Sequence, residues 1–547
     1  MKPHIFIASA LALGSTFGSA QLSFAQGSQF NRLERRVETN EKDIINVRSR
    51  VQSTERRAAA QSKKLSEHTE LSENQLLDLR SRATSLESRS TDMTEKLEEA
   101  RKSLAVIEAE LRDQGVNLDQ LDDASDNTKG ELDRFWVMMS AALVFLMQAG
   151  FKAFEVGMVR REHRASVGVK NLIDWLVVSI VFYIVGFGLM YGTSVGGWIG
   201  SSLFAPSPQT MPEGFKLEFF LFQLAFAGTA ATIVSGAISE RSALSSYLFA
   251  SAIISALIYP LFGHWAWGGL YLTDNVPWLA GMGFHDFAGG TVVHGIGAWV
   301  ALVGVWFVGP RLGRFDPEVE ATGKFRPSDL GYSVLGVFIL WAGWWGFNGG
   351  SVLAFDDRVS VVILSTNLAA AAAGIAAFLH SLFSDRKGTF VKMLGGALGG
   401  LVAITPCADV VSTWDALVIG VLAGLVHNLS CDLLVKLRLD DPVGAIPVHG
   451  ACGALGTIAV GLFARADQIE MFELCADPSS ASCVAPGLLS GGGFGQLGVQ
   501  ALGVAVAFAL SAGLALLTFY LADQLIGMRV SRESEETGFS LLHGEGE

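Results

Sequence analysis

Hydrophobic and polar positions divide the chain near residue 130. Residues 28–130 are rich in Glu, Arg, Ser, Gln and Asp, and no proline interrupts residues 30–121. Leu33, Val37, Ile44, Val47, Val51, Ala58 and Leu65 form a heptad-like seam. It resumes in shifted register through Leu79, Leu86, Met93, Leu97, Leu104, Ile107, Leu111 and Leu118. A narrow apolar stripe on a polar helix predicts a coiled coil; the alternative is a solvated, partly disordered linker. Asn40, Gln61 and His68 interrupt the stripe, as polar seam residues do where they fix register or oligomer state.

Beyond this region the pattern reverses, and eleven apolar segments follow at 135–158, 169–192, 217–239, 244–269, 287–308, 330–353, 359–382, 391–409, 414–434, 443–463 and 497–524. Each is long enough to cross an apolar slab about 30 Å thick. Basic residues alternate between the connecting loops. Arg160, Arg161 and Arg164 follow the first span, and Arg241 the third. Arg311, Arg314, Lys324 and Arg326 follow the fifth, Arg386 and Lys387 the seventh, and Lys436 and Arg438 the ninth. The other loops carry little more than Lys216, Arg358 and Arg465. Because cytoplasmic loops are enriched in Lys and Arg, the first set is read as cytoplasmic, with the N-terminus outside and the C-terminus inside.

Residues 1–25 combine Lys2, an apolar stretch and small residues near Ala20 and Ala25, and so predict a cleaved secretory signal peptide, with an uncleaved anchor as the alternative. The chain therefore divides into that leader, an exported coiled coil at 26–130, a membrane domain at 131–527 and a cytoplasmic tail at 528–547. The formal charge of −13 is spread over these different surfaces, and no basic cluster suggests a nucleic-acid partner. Cys407, Cys431 and Cys452 lie in or beside apolar spans and read as packing residues. Cys475 and Cys483 share a polar loop, where an extracytoplasmic position would favour a disulfide. No close Cys/His spacing suggests zinc, and no cofactor is implied.

One pattern occurs twice. Asp286–Gly295 and Asp441–Gly450 both fit D-x-x-G-x-x-x-V-H-G, at the starts of spans five and ten. Five spans is an odd number, so the second half is inverted relative to the first, as in transporters built from inverted repeats. Each histidine follows its aspartate by eight residues, about 12 Å along a helix. Half the slab is about 15 Å, so His294 and His449 should meet near its middle from opposite sides. Paired imidazoles there could bind a metal, relay protons or hydrogen-bond a small polar solute; the alternative is two core histidines satisfied by backbone. A metal is disfavoured, because no carboxylate or thiolate completes a ligand set. Asp286 and Asp441 are placed to cap helix N-termini, and Asp286 alternatively to draw a cation to a pore mouth.

The segment F-H-D-F-A-G-G-T-V-V-H-G-I-G-A closely resembles the signature of the ammonium transporter (Amt/MEP/Rh) family. So do F-Q-L-A-F-A at 222–227, S-G-A-I-S-E-R at 235–241, G-H-W-A-W-G-G at 263–269, G-W-W-G-F-N-G-G-S at 343–351 and D-D-P-V-G-A-I-P-V-H-G at 440–450. They stand in family order over roughly residues 134–547. The resemblance implies an all-α fold of eleven transmembrane helices with inverted five-helix repeats, a homotrimer with a path in each protomer, and no enzymatic reaction. It implies uptake of ammonium, with methylammonium as a further substrate, through the inner membrane. Phe226, Trp267, Ser351 and Asp286 would recruit the cation, and Phe226 and Phe347 would gate the path, with Phe222 and Gln223 beside them. His294 and His449 would line its centre. Ammonium would shed a proton and cross as ammonia, since an apolar path cannot hydrate an ion.

The tail resembles the family's regulatory C-terminus, which contacts neighbouring protomers and PII-type proteins. It carries Phe539 and Ser540 where Leu-Asp is common, a departure that bears on PII control more than on transport. The alternative function is an ammonium sensor signalling through the coiled coil or the tail.

Overall fold

The computed structural model of the protein describes residues 49, 52–57, 59, 73–113, 118–211, 217–384, 388–475 and 480–538. The expected leader, most of the first seam and the tail beyond residue 538, including Phe539 and Ser540, lie outside the described residues. The chain separates into two compact units, Met1–Lys129 and Gly130–Glu547. In the first, helix α1 (Glu73–Asp113) exposes most of its described side chains. Ala83, Leu86, Ser90 and Met93 are half-buried at spacings of three and four, with Thr94 beside them. Of these, Leu86 and Met93 belong to the expected seam.

Ten helices among the described residues are long and apolar enough to cross a membrane. They are α2 (Asp126–Met158), α3 (Arg161–Tyr191), α4 (Leu217–Ala237), α5 (Leu244–Trp267), α6 (Gly290–Val308), α7 (Leu330–Gly350), α8 (Asp357–Phe383), α10 (Thr413–Lys436), α11 (Ile446–Phe463) and α12 (Phe494–Leu525). A shorter apolar helix, α9 (Thr389–Ile404), occupies the eighth expected place. All eleven expected apolar segments are thus helical, which satisfies backbone polar groups internally where no water is available.

The segment expected at 391–409 is corrected: its 16-residue helix stops at Ile404, about 24 Å long. Pro406 follows at once and cannot supply the next helical N–H. The turn instead presents the Thr405 and Pro406 carbonyls to Ala288 N–H (3.2 Å) and Phe287 N–H (3.1 Å), joining it to the loop before α6. Elsewhere Asp329, Asp356 and Ser412 cap α7, α8 and α10 by accepting backbone N–H bonds of 3.0, 3.0 and 3.2 Å.

Burial ranks the helices. The apolar windows of α4 and α6 are 83% and 78% buried, and that of α11 67%, against 33% for α3 and α12. The three innermost helices carry Phe226, His294 and His449 respectively.

At one end of the unit, charged residues from loops after α2, α4, α6, α10 and α12 converge. Arg311 donates to Asp440 (2.8 and 2.9 Å) and to Glu240 (2.7 Å), while Arg160 bonds Glu240 and the Glu535 carbonyl. Arg529 holds the Glu535 carboxylate at 2.7 Å. Burial opposes ionisation at Asp440, but Arg311 and Arg241 overcome it and hold its carboxyl far below the usual range. The loops after α2, α4, α6 and α10 are among those whose basic residues mark a common side in the sequence.

Candidate functional site

The repeated motif is explained position by position. Both oxygens of the Asp286 carboxylate accept backbone N–H bonds: Gly289 (2.9 Å) and Gly290 (2.7 Å) on one, Thr291 (2.8 Å) and Val292 (2.8 Å) on the other. Asp441 does the same for Val443, Gly444 and Ile446 at 3.3, 3.0 and 2.8 Å. To bring those donors round, the chain must turn left-handed at the fourth motif position. Gly289 has φ +105° and Gly444 φ +73°, where a side chain would be strained. The helices accordingly start at Gly290 and Ile446, a few residues later than the apolar pattern suggests. Burial raises both carboxyls above the ordinary aspartate value, and the backbone N–H groups pull back against it.

Each helix then opens with a widened π turn, Gly290–Gly295 and Ile446–Ala451, that carries its histidine. The His294 N–H bonds Gly289 O, five residues back, at 3.0 Å. Such turns project a side chain out of the normal helical register and recur at functional sites. The two helix starts approach closely. The Thr291 and Thr457 hydroxyls lie 2.6 Å apart, and a Cβ on Gly453 would fall 2.4 Å from the Gly290 carbonyl oxygen.

His294 and His449 meet: their Nδ1 atoms are 3.1 Å apart and their rings, 5.1 Å between centroids, are inclined by 22°. His294 is fully buried and His449 nearly so, at 0% and 6% exposure. Toward the Asp286 end, Phe347 lies 5.3 Å from the His294 ring and stacks on Phe226 at 4.0 Å and 12°. Phe222 packs on Phe226 at 4.6 Å, and Trp267 meets Phe226 edge-on at 6.2 Å. Trp267 is aimed by its indole N–H, which donates to the Asp286 carbonyl at 2.7 Å. Asp286 therefore serves this cluster through its backbone, while its carboxylate is committed to the helix cap. The Ser351 hydroxyl is part-exposed at the end of α7 and donates to the Phe347 carbonyl at 2.8 Å. Gln223 is buried next to Phe222 in α4.

Three neighbours were not singled out by the sequence. Trp344 lies against His294 at 5.1 Å and 18°, held by an indole bond to the Thr405 hydroxyl at 2.9 Å. Phe151 lies 6.1 Å from the His449 ring, and Glu155 shares a cavity with His449. For Glu155 the signal was present: an ionisable residue within an apolar span is a functional candidate by default.

At the Asp286 end, His285 pairs with Asp409 at 3.0 Å. Burial disfavours its imidazolium, but the Asp409 carboxylate overcomes that and raises its pKa. Cys475 and Cys483 form a disulfide, as their shared loop suggested. Cys407 and Cys452 are free and buried, and Cys431 is free and half-buried. Among the described residues, no three His, Cys, Asp or Glu side chains converge as a metal site requires.

A profile of the Ammonium Transporter Family matches residues 135–547. Ammonium transporter Amt2 of Archaeoglobus fulgidus is 41% identical over 421 residues, covering 76% of this chain and 88% of that one. Among solved structures, "Sensor Amt Protein" superposes with a TM-score of 0.71 at 39% identity, covering 77% of this chain and all of that one. Saccharomyces cerevisiae Mep2 gives a TM-score of 0.64 at 29% identity over 74% of this chain and 88% of that one.

Proposed function

This chain belongs to the ammonium transporter family, and from that premise we propose that it carries ammonium into the cytoplasm through a dry path centred on His294 and His449. The observation that carries this reading is a continuous line of rings: Trp267, Phe226, Phe347, His294, His449. In this reading Trp267 and Phe226 attract the cation through their ring faces, with the Ser351 hydroxyl as a hydrogen-bond acceptor and Asp286 as the anchor of the site. The stacked Phe226–Phe347 pair, with Phe222 behind it, closes the path and must shift for passage. Ammonium yields a proton above this pair, and neutral ammonia proceeds by hydrogen-bonding the imidazoles. Sodium and potassium have no proton to lose and face the full desolvation cost. Methylammonium offers the same chemistry.

The protein acts in the inner membrane as a homotrimer with its C-terminus in the cytoplasm. Residues 1–25 are a cleaved leader, and 26–130 form an exported coiled-coil stalk. The tail is a docking site for a PII-type protein. Likeness to a structure named as a sensor supports a second reading, ammonium sensing through the stalk or tail. Uptake of radiolabelled methylammonium by proteoliposomes, with His294→Ala and His449→Ala alongside, tests both. The transport reading expects strong loss in each variant; unaltered uptake in both would remove the histidines from the mechanism. Ammonium binding without any uptake by the unaltered protein would favour the sensor.

A further inference from the structure

Beyond His449 the path meets a cavity lined by His449, Phe151, Phe154, Ile233, Val443 and Glu155. Apart from the imidazole, this lining is apolar and aromatic, and the Glu155 side chain is the exception. At 2% exposure its carboxylate is buried in the last turn of α2, three residues before the helix ends at Met158. Gly236 leaves it room: a Cβ there would lie 3.1 Å from Glu155 Oε1 and 2.6 Å from Val443.

A polar seam leads away from this carboxylate. Glu155 Oε2 is 3.3 Å from the Ser235 hydroxyl, which also reaches Asn171 Oδ1 at 2.8 Å. Lys170 Nζ donates to the Ser235 carbonyl (2.6 Å) and to the Ser239 hydroxyl (3.1 Å). Lys170 then lines a second cavity with Ser166, Glu240 and Ser242, at the end that holds the Arg311 junction. The seam therefore joins the cavity beneath His449 to the end read as cytoplasmic, alongside the dry path and separate from it. The ionisable groups around Glu155 are Lys170 and Asp174 on α3 and His449 on α11. The Ser235 hydroxyl is its hydrogen-bond partner from α4, Asp174 is held by Ser251 at 2.5 Å, and Lys170 also faces Glu240, Arg241 and the Tyr247 ring.

We infer that Glu155 is the proton donor at the inner end of the passage, re-forming ammonium from ammonia as it leaves His449, with Lys170 as its proton supply. This rests on the transport reading above. The ammonia lone pair takes the proton of the Glu155 carboxylic acid: an N–H bond forms, the O–H bond breaks, and ammonium departs inward. The carboxylate left behind is stabilised by the Lys170 ammonium. It recovers a proton from Lys170, which is recharged by water in the second cavity. A structural staple between α2, α3 and α4 would need the charges but not the opening onto the His449 cavity. Phe151 and Phe154 at that opening offer aromatic faces to the newly formed cation.

The test is radiolabelled methylammonium uptake into proteoliposomes whose lumen is set between about pH 6 and 8, a window in which perturbed acids and amines titrate. Glu155→Gln is expected to slow uptake tenfold or more and to flatten its dependence on lumen pH, since general acids contribute about 100-fold or more. Glu155→Asp keeps the pH dependence at a reduced rate. Should Glu155→Gln not yield monodisperse protein, the double variant Glu155→Gln/Lys170→Met removes both charges and gives the same readout. Uptake at the unaltered rate, or a slower rate with the lumen pH profile unchanged, overturns the inference. Absence of uptake in the unaltered protein would instead bring down the transport reading itself.

Discussion

Replacing Asp286 by Asn isolates what its carboxylate does. Four backbone N–H groups, at 2.7 to 2.9 Å, share its two oxygens, and the residue is 4% exposed. An amide keeps one acceptor and turns an NH₂ toward the other two donors. Two N–H groups would then be buried without partners, at about 1–3 kcal/mol each, or about 2–6 kcal/mol together. That is a large part of the roughly 5–15 kcal/mol separating folded from unfolded chains. Thermal unfolding of detergent-purified protein, followed by size-exclusion chromatography, should therefore show a clear fall in midpoint. Asp441→Asn provides the internal control, since it caps the equivalent helix from the other end of the repeat and should behave alike. If Asp286 acts as a cap, residual uptake at reduced temperature should retain the unaltered concentration dependence. An unchanged midpoint for Asp286→Asn would refute the capping argument. An unchanged midpoint with weakened apparent affinity would make the carboxylate a cation attractor instead.

Further outcomes follow from other contacts. Gly453→Val places a side chain against the Gly290 carbonyl and should push the two helix starts apart, abolishing uptake in any protein that still purifies as a single species. The His285–Asp409 pair should stabilise fully below about pH 6.5, the ordinary imidazole value, and lose its effect as pH rises through the raised value in the folded state. The midpoint difference between the unaltered protein and Asp409→Asn should accordingly shrink from pH 6 to pH 9, a range chosen around that value; a constant difference would contradict it. Arg311→Met leaves Asp440 and Glu240 without their shared buried partner and should cost about 3–5 kcal/mol, read as loss of monodisperse protein or a lower unfolding midpoint.

Legibility from sequence followed the range of the interaction. The spans were readable because bilayer thickness imposes a length on each. The histidine encounter was anticipated from the repeat, but the expected run of about 12 Å of helix behind it is not there: the helices start at Gly290 and Ile446, four and three residues before the histidines, and the capped loops supply the rest. Local chemistry also pointed to Asp441 as a cap, while for Asp286 it left cap and cation attractor open until the four backbone bonds were seen. The π turns were not foreseeable, because an apolar run carries no periodicity that distinguishes a widened turn from an ordinary one. The end of α9 could have been placed better: Pro406 stood inside the expected segment. The His285–Asp409 pair joins residues 124 positions apart, and no spacing rule connects them. Glu155, Lys170 and Asp174 were visible as charges inside apolar spans, but their convergence depends on how α2, α3 and α4 are assembled.

The 3.1 Å approach of the two Nδ1 atoms carries one more consequence. A neutral imidazole holds a single hydrogen, so a bond between these nitrogens requires unlike tautomers: one ring spends its hydrogen on its neighbour, and the other keeps its own at Nε2. The couple therefore has a polarity, with an acceptor at one extremity and a donor at the other. A guest passing along it meets a lone pair at one step and an N–H at the next. Any transfer that shuttles a hydrogen through the couple reverses this polarity, and the rings must reset before the same event can recur.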